Sequence, residues 1–170
     1  LKPTAYLEEP QSDFDAMYDW SAIKRGGDIH QNKYVSVCNA IRELYSVKQV
    51  TSLWKNRDKY DMYLYFRPDL KYVDKLDTAQ LLNNPTRLFT PRWHKHLGLN
   101  DRIYFGQYDT ILPIAERIDY LDKLLIKYRH AYNAERYLQT VVKHFKLSTI
   151  NINMRGQRIR ATGANIDKHI

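Results

Sequence analysis

A single cysteine, Cys38, stands in this chain of 170 residues. One cysteine excludes an internal disulfide and any cysteine-rich zinc site. Cys38 falls among apolar residues at helical spacing, where a small hydrophobe fits better than a reactive thiol. Glycine and proline are scarce, 6 of each, which argues against a turn-rich all-β fold. Long apolar runs are missing too. The best are MYLYF (62–66) and LLI (124–126), far short of the ~20 residues that a membrane-spanning helix needs. There is no glycine-rich phosphate loop. RGGD (25–28) lacks the strand–loop–helix setting and the downstream Lys-Ser/Thr of such a loop, and reads as a turn.

Catalytic constellations are equally absent. Asp119 and Asp122 read as the solvated side of an amphipathic helix rather than an acid–base couple. WHKH (93–96) places His94 and His96 two apart, and on a helix positions two apart do not share a face. They would make a poor metal pair there, with no cysteine or neighbouring carboxylate to complete a site. His30, His130, His144 and His169 are scattered. No catalytic residue, cofactor or metal is therefore expected.

What is present is aromatic and basic. Fourteen tyrosines and three tryptophans suit a core, an interface or nucleotide stacking alike. The formal net charge is +8 and unevenly spread. Glu8, Glu9, Asp13, Asp15 and Asp19 oppose only Lys2 in residues 1–20, a net −4 that leaves +12 on the rest. An acidic arm before a basic body can fold back on it or reach a basic neighbour, while the body suits nucleic acid, anionic lipid or an acidic protein. The chain begins at Leu1, which suggests removal of a targeting peptide, or simply a trimmed start.

Periodicity reads as helical. Residues 1–12 form an extended arm broken by Pro3 and Pro10, and a short helix follows over FDAMYDWSAIK. In KYVSVCNAIRELYSVKQVTSLWKNR (33–57), Tyr34, Val37, Cys38, Ile41, Leu44 and Tyr45 share one face. The stripe then shifts to Val47, Val50, Leu53 and Trp54, which predicts a turn at Tyr45-Ser46 and two short helices. DKYDMYLYF (58–66) fits a strand or a helix. DLKYVDKLDTAQLLN (69–83) has helical spacing, and short helices are expected over RWHKH (92–96) and from Asn100 or Asp101 to Ile111. A helix from Pro113 to Arg129 and another from Asn133 to Phe145 complete the pattern. Starts near 33, 69, 101 and 134 lie close to the ~34-residue period of helical-hairpin repeats.

The hairpin segments resemble pentatricopeptide-type repeats, with Tyr34 and the small Ala40 in keeping, although the glycine between helices is replaced by Tyr45-Ser46 and by 130–133. The fold expected is all-α, an irregular array of helical hairpins (pentatricopeptide/tetratricopeptide-like): an extended arm at 1–12, a hairpin domain at 13–145 and a basic C-terminal arm at 146–170. The whole chain is similar to the pentatricopeptide-like extra subunits on the catalytic head of mitochondrial ATP synthase in trypanosomes and other euglenozoans. That resemblance implies a non-catalytic mitochondrial subunit, on the matrix side of the inner membrane, bound to the outside of the head through its α subunit. The alternative is an organellar RNA-binding or mitoribosomal protein. The arms supply the expected contacts: Tyr6, Leu7, Glu8 and Glu9 at one end, Arg155, Arg158 and Arg160 at the other.

Overall fold

The longest element settles the question raised by the slipping stripe. One α-helix runs unbroken over Val35–Ser52, through Tyr45 and Ser46. The computed structural model describes residues 5–54, 60–96 and 98–159. In helix numbering this element is α3, after α1 (Gln11–Met17) and α2 (Trp20–Lys24). Its buried residues are Val37, Ile41, Leu44 and Thr51, so the first face continues straight on. The polar positions on that face are satisfied rather than turned away. Thr51 Oγ1 donates to the Val47 carbonyl at 2.8 Å and also meets the Tyr65 hydroxyl. Lys48 carries its amine to Asp119 at 2.6 Å. Val50 is left exposed. The predicted turn at Tyr45-Ser46 is thus corrected, and with it the hairpin.

The all-α expectation is overturned as a whole: the fold is mixed α/β. β1 (Tyr63–Phe66), β3 (Leu88–Pro91), β4 (Ile103–Gly106) and β5 (Thr149–Ile152) form one sheet in the order β1-β4-β3-β5. The first two pairings are antiparallel and the last is parallel. β2 (Leu70–Tyr72) pairs antiparallel with β6 (Gly156–Arg158) in a second, two-stranded sheet. Two of the four supposed repeat starts, 69 and 101, therefore lead into strands, and the period dissolves.

Short strands explain the misreading. β3 and β4 are buried at all four positions each, so they show no polar alternation from which a period of two can be read. The segment 69–83 is β2 followed by a one-turn helix α4 (Thr78–Leu82), capped by Asp77, whose carboxylate accepts Gln80 N–H at 3.0 Å. Residues 92–96 form no helix. The helix expected from Pro113 instead begins earlier, as α5 (Tyr108–Ala115), with Pro113 inside it. It gives way to a 3-10 turn at Arg117–Tyr120, a short α6 (Leu121–Leu124) and a second 3-10 turn at Ile126–Tyr128, closed by Arg129 with φ 54°. α7 (Ala134–His144) forms where expected. Asn133 caps it by accepting Arg136 N–H at 2.9 Å, and Lys143 and His144 complement its C-terminal dipole.

The C-terminal stretch is not an arm up to Ile159. β5 lies beside β3 in the main sheet, and Ile152 and Met154 are buried. Arg160 and the rest of 160–170 lie outside the described residues, as do Leu1–Thr4 of the N-terminal arm.

The sheet divides two cores. On one face Tyr63, Leu88 and Tyr104 join Val37, Ile41, Leu44, Ile111, Ile114, Leu138 and Val141 of α3, α5 and α7. On the other, Phe89, Ile103, Phe105 and Ile152 are covered by Leu81 of α4 and Met154, with Met62, Tyr72 and Leu76 at the margin. No helix among the described residues is long and apolar enough to cross a membrane.

Candidate partner-binding surface

The second core is covered unevenly, and the gap lies at β1. This strand is the outermost of its sheet and among the described residues has one ladder partner, β4. Tyr63 and Tyr65 point to the main core. Leu64 and Phe66 point to the other face, in register with Phe105 and Ile103. Those two partners are buried beneath the α4 side of the second core. Leu64 and Phe66 are not, at 43% and 53% exposed.

Two grooves flank the strand. One, of about 400 Å³, is lined by Tyr60, Met62, Leu64, Leu82 and Phe105 among others. The other, of about 370 Å³, lies between α3 and β1, with Val47, Val50, Tyr65, Phe66 and Arg67 in its wall. Val50, Tyr60 and Leu82 are also largely exposed. Five large apolar side chains thus surround one edge strand. Scattered exposed hydrophobes need no explanation, but a set gathered on the margin of a core does.

An ion network holds the end of this strand. The Arg67 guanidinium donates to Asp69 at 2.9 and 3.0 Å and to Glu43 at 2.8 Å. Asp69 also accepts Arg158 Nε at 3.1 Å. Hydrogen bonding from Arg67 pulls the Asp69 carboxyl below its ordinary range. Burial pushes Glu43 up, with Arg67 opposing. The network joins α3, β1 and β6 and fixes the chain beside Phe66.

The residues expected to bind a partner are placed differently. Tyr6, Leu7, Glu8 and Glu9 are exposed. Glu9 nevertheless accepts from Tyr45 at 2.8 Å, and Asp15 holds Arg42 at 2.7 and 2.8 Å, so the acidic segment lies back on α3. Arg155 is clamped to Asp74 through its backbone N–H at 2.7 Å and its guanidinium at 2.9 Å twice. Arg158 belongs to the network just described. These two arginines fasten the chain's own last strands. Cys38 is half-buried on α3.

Sequence reasoning passed over Leu64, Phe66 and Val50 as contacts. The available signals were the aromatic MYLYF run and the position of Val50 off the helical stripe. Comparison with family models, curated proteins and solved structures finds no match for this chain.

Proposed function

We propose that this chain is a non-catalytic subunit that docks on a larger protein assembly through the β1 edge. The observation that carries the reading is the exposed Leu64–Phe66 pair on an outermost strand, between two apolar grooves. Edge strands of this kind accept an extended segment of another protein: main-chain hydrogen bonds give affinity, and flanking grooves take alternate side chains. The +8 charge favours an acidic partner.

The same charge is the support for RNA binding, but several of its carriers are already engaged. Arg42, Lys48, Arg67, Arg155 and Arg158 each pair with a carboxylate. This favours a protein partner over a phosphate backbone. The assembly to test first is the catalytic head of mitochondrial ATP synthase, named by the resemblance of the whole chain. The mixed fold removes the hairpin array from the grounds for that likeness.

A tagged chain expressed in mitochondria should recover the α and β subunits of the synthase, and the pair of changes Leu64→Glu and Phe66→Glu should lose them while leaving far-UV circular dichroism unchanged. Recovery of RNA or ribosomes alone overturns the reading. Undiminished recovery by the folded double variant moves the interface away from β1.

A further inference from the structure

Between β3 and β4 the chain makes an irregular excursion whose ends are tied together. Asn100 is fully buried. Its Nδ2 donates to the Trp93 carbonyl at 2.7 Å, and its Oδ1 accepts Arg102 N–H at 2.9 Å. The Trp93 indole N–H donates to the Met154 carbonyl, and the Arg102 guanidinium lies 5.5 Å from the Trp93 ring centre. One side chain and one ring therefore tie the ends of the loop together and to the chain that follows β5.

Within it, His94 and His96 both take left-handed backbone, with φ of 45° and 30°. Neither is glycine, and such conformations persist in non-glycine residues only where the surroundings enforce them. Their effect is to bring together two side chains that a helix over 92–96 would hold on different faces. His94 Nδ1 and His96 Nε2 come to 3.1 Å, with the ring planes at 39°. The helical argument against this pair assumed a helix over 92–96 that does not form.

Two imidazole nitrogens facing at that distance either share a proton or share a metal ion. Nitrogen ligands sit at about 2.0–2.1 Å from zinc, which puts two of them about 2.9 Å apart at a right angle and about 3.4 Å apart at the tetrahedral angle. The observed separation falls between. We propose that His94 Nδ1 and His96 Nε2 form a two-imidazole site for a late first-row divalent ion, with water completing its coordination. Both nitrogens bind through lone pairs, so the remaining proton sits on Nε2 of His94 and Nδ1 of His96. No group of three or more His, Cys, Asp or Glu is placed to hold a metal among the described residues. The described residues thus supply two ligands rather than a closed structural centre.

The loop is also packed against the start of α7. Gly98 packs against the Glu135 backbone, and Leu99 N–H donates to the Glu135 carbonyl at 3.0 Å. Lys95 and Arg102, on the same loop, disfavour a hard ion held by electrostatics alone. Imidazole donors rank Cu²⁺ above Ni²⁺ and Zn²⁺.

The test uses the tag-free full chain titrated with Cu²⁺ and with Zn²⁺ by calorimetry, with Cu²⁺ electron paramagnetic resonance to count nitrogen ligands. One ion per chain is expected, Cu²⁺ the tighter, with two nitrogens coordinated. His94→Gln and His96→Gln should each abolish stoichiometric binding; His130→Gln and His144→Gln should not. His96 is exposed, so its variant keeps the test decisive if His94→Gln misfolds. Binding that survives both loop variants, or no binding by the unaltered chain, overturns the proposal and leaves the pair as an imidazole–imidazole hydrogen bond.

Discussion

Replacing Arg117 by methionine asks whether a positive charge can leave the core without destabilising it. Arg117 is 2% exposed, inside the main core. Its Nη1 donates to Tyr104 Oη at 2.9 Å and to the Ile114 carbonyl at 2.7 Å, while its Nε has no hydrogen-bond partner among the described residues. No carboxylate lies within ion-pair distance of it among the described residues. Its own carbonyl accepts from Tyr137 at 2.6 Å, a bond that any substitution keeps. Two hydrogen bonds from a charged donor contribute about 1.5–3 kcal/mol each. Against them stands the desolvation of a guanidinium, which costs several kcal/mol when no counter-charge offsets it (roughly 3–5 by the same reasoning that makes apolar replacements of buried ions neutral). Arg117→Met keeps most of the stem volume, so it should lie within about 2 kcal/mol of the unaltered protein. Arg117→Ala leaves a cavity as well and should cost about 3–5 kcal/mol. Urea denaturation followed by far-UV circular dichroism, with unchanged slope, measures both. In the Met background, Tyr104→Phe should cost less than in the unaltered chain, because its hydroxyl has already lost its donor. Arg117→Met as damaging as Arg117→Ala would refute the reasoning. The charge itself would then be stabilising, held by the more distant charges of Asp101 and Glu43.

Two further outcomes follow from particular contacts. Ser46→Pro in the middle of α3 should cost about 3 kcal/mol or more and lower the helical signal, because it removes an interior backbone hydrogen bond and clashes with the Arg42 carbonyl; unchanged stability would restore a turn there. Arg155 hydrogen bonds draw the Asp74 carboxyl down to about 2. A depressed carboxyl contributes stability above its unfolded value, and that contribution fades as pH falls from about 4 toward 2. Asp74→Asn should therefore destabilise near neutral pH and have little effect at pH 2, and a carboxyl carbon NMR titration should place the Asp74 midpoint near 2. An ordinary midpoint would show that the clamp is not populated in solution.

The first half of α3 and the whole of α7 were the more legible parts. A stripe at Val37, Ile41 and Leu44 needs only local spacing to be read, and the first half of α3 follows from it. α7 was equally plain, because Asn133, Glu135 and the terminal Lys143-His144 mark both of its ends. The turn at Tyr45-Ser46 was wrong for a physical reason. Polar Lys48 and Thr51 look like a break in an apolar stripe, yet each finds a partner in a distant element, Asp119 or Tyr65. Spacing within the helix carries no trace of those partners.

The surroundings of the expected contacts were hidden from the sequence in a related way. Arg155 and Arg158 look available in a glycine-interrupted tail, but Asp74 and Asp69 lie 81 and 89 residues earlier. Leu64 and Phe66 look like core residues in an aromatic run, and only the end of the sheet's cover leaves them in water. His94 and His96 look divergent until two left-handed residues bring them together.

By itself the sequence determined the first half of α3, the helix α7, the lack of an apolar run long enough for a membrane-crossing helix, the basic balance and the impossibility of an internal disulfide. Each of these depends on composition or on neighbours within a few turns. Tertiary structure alone decided the sheet. Strands of three or four residues carry too few side chains to show a period, and β3 and β5, some sixty residues apart, become strands only through the hydrogen bonds they make to each other.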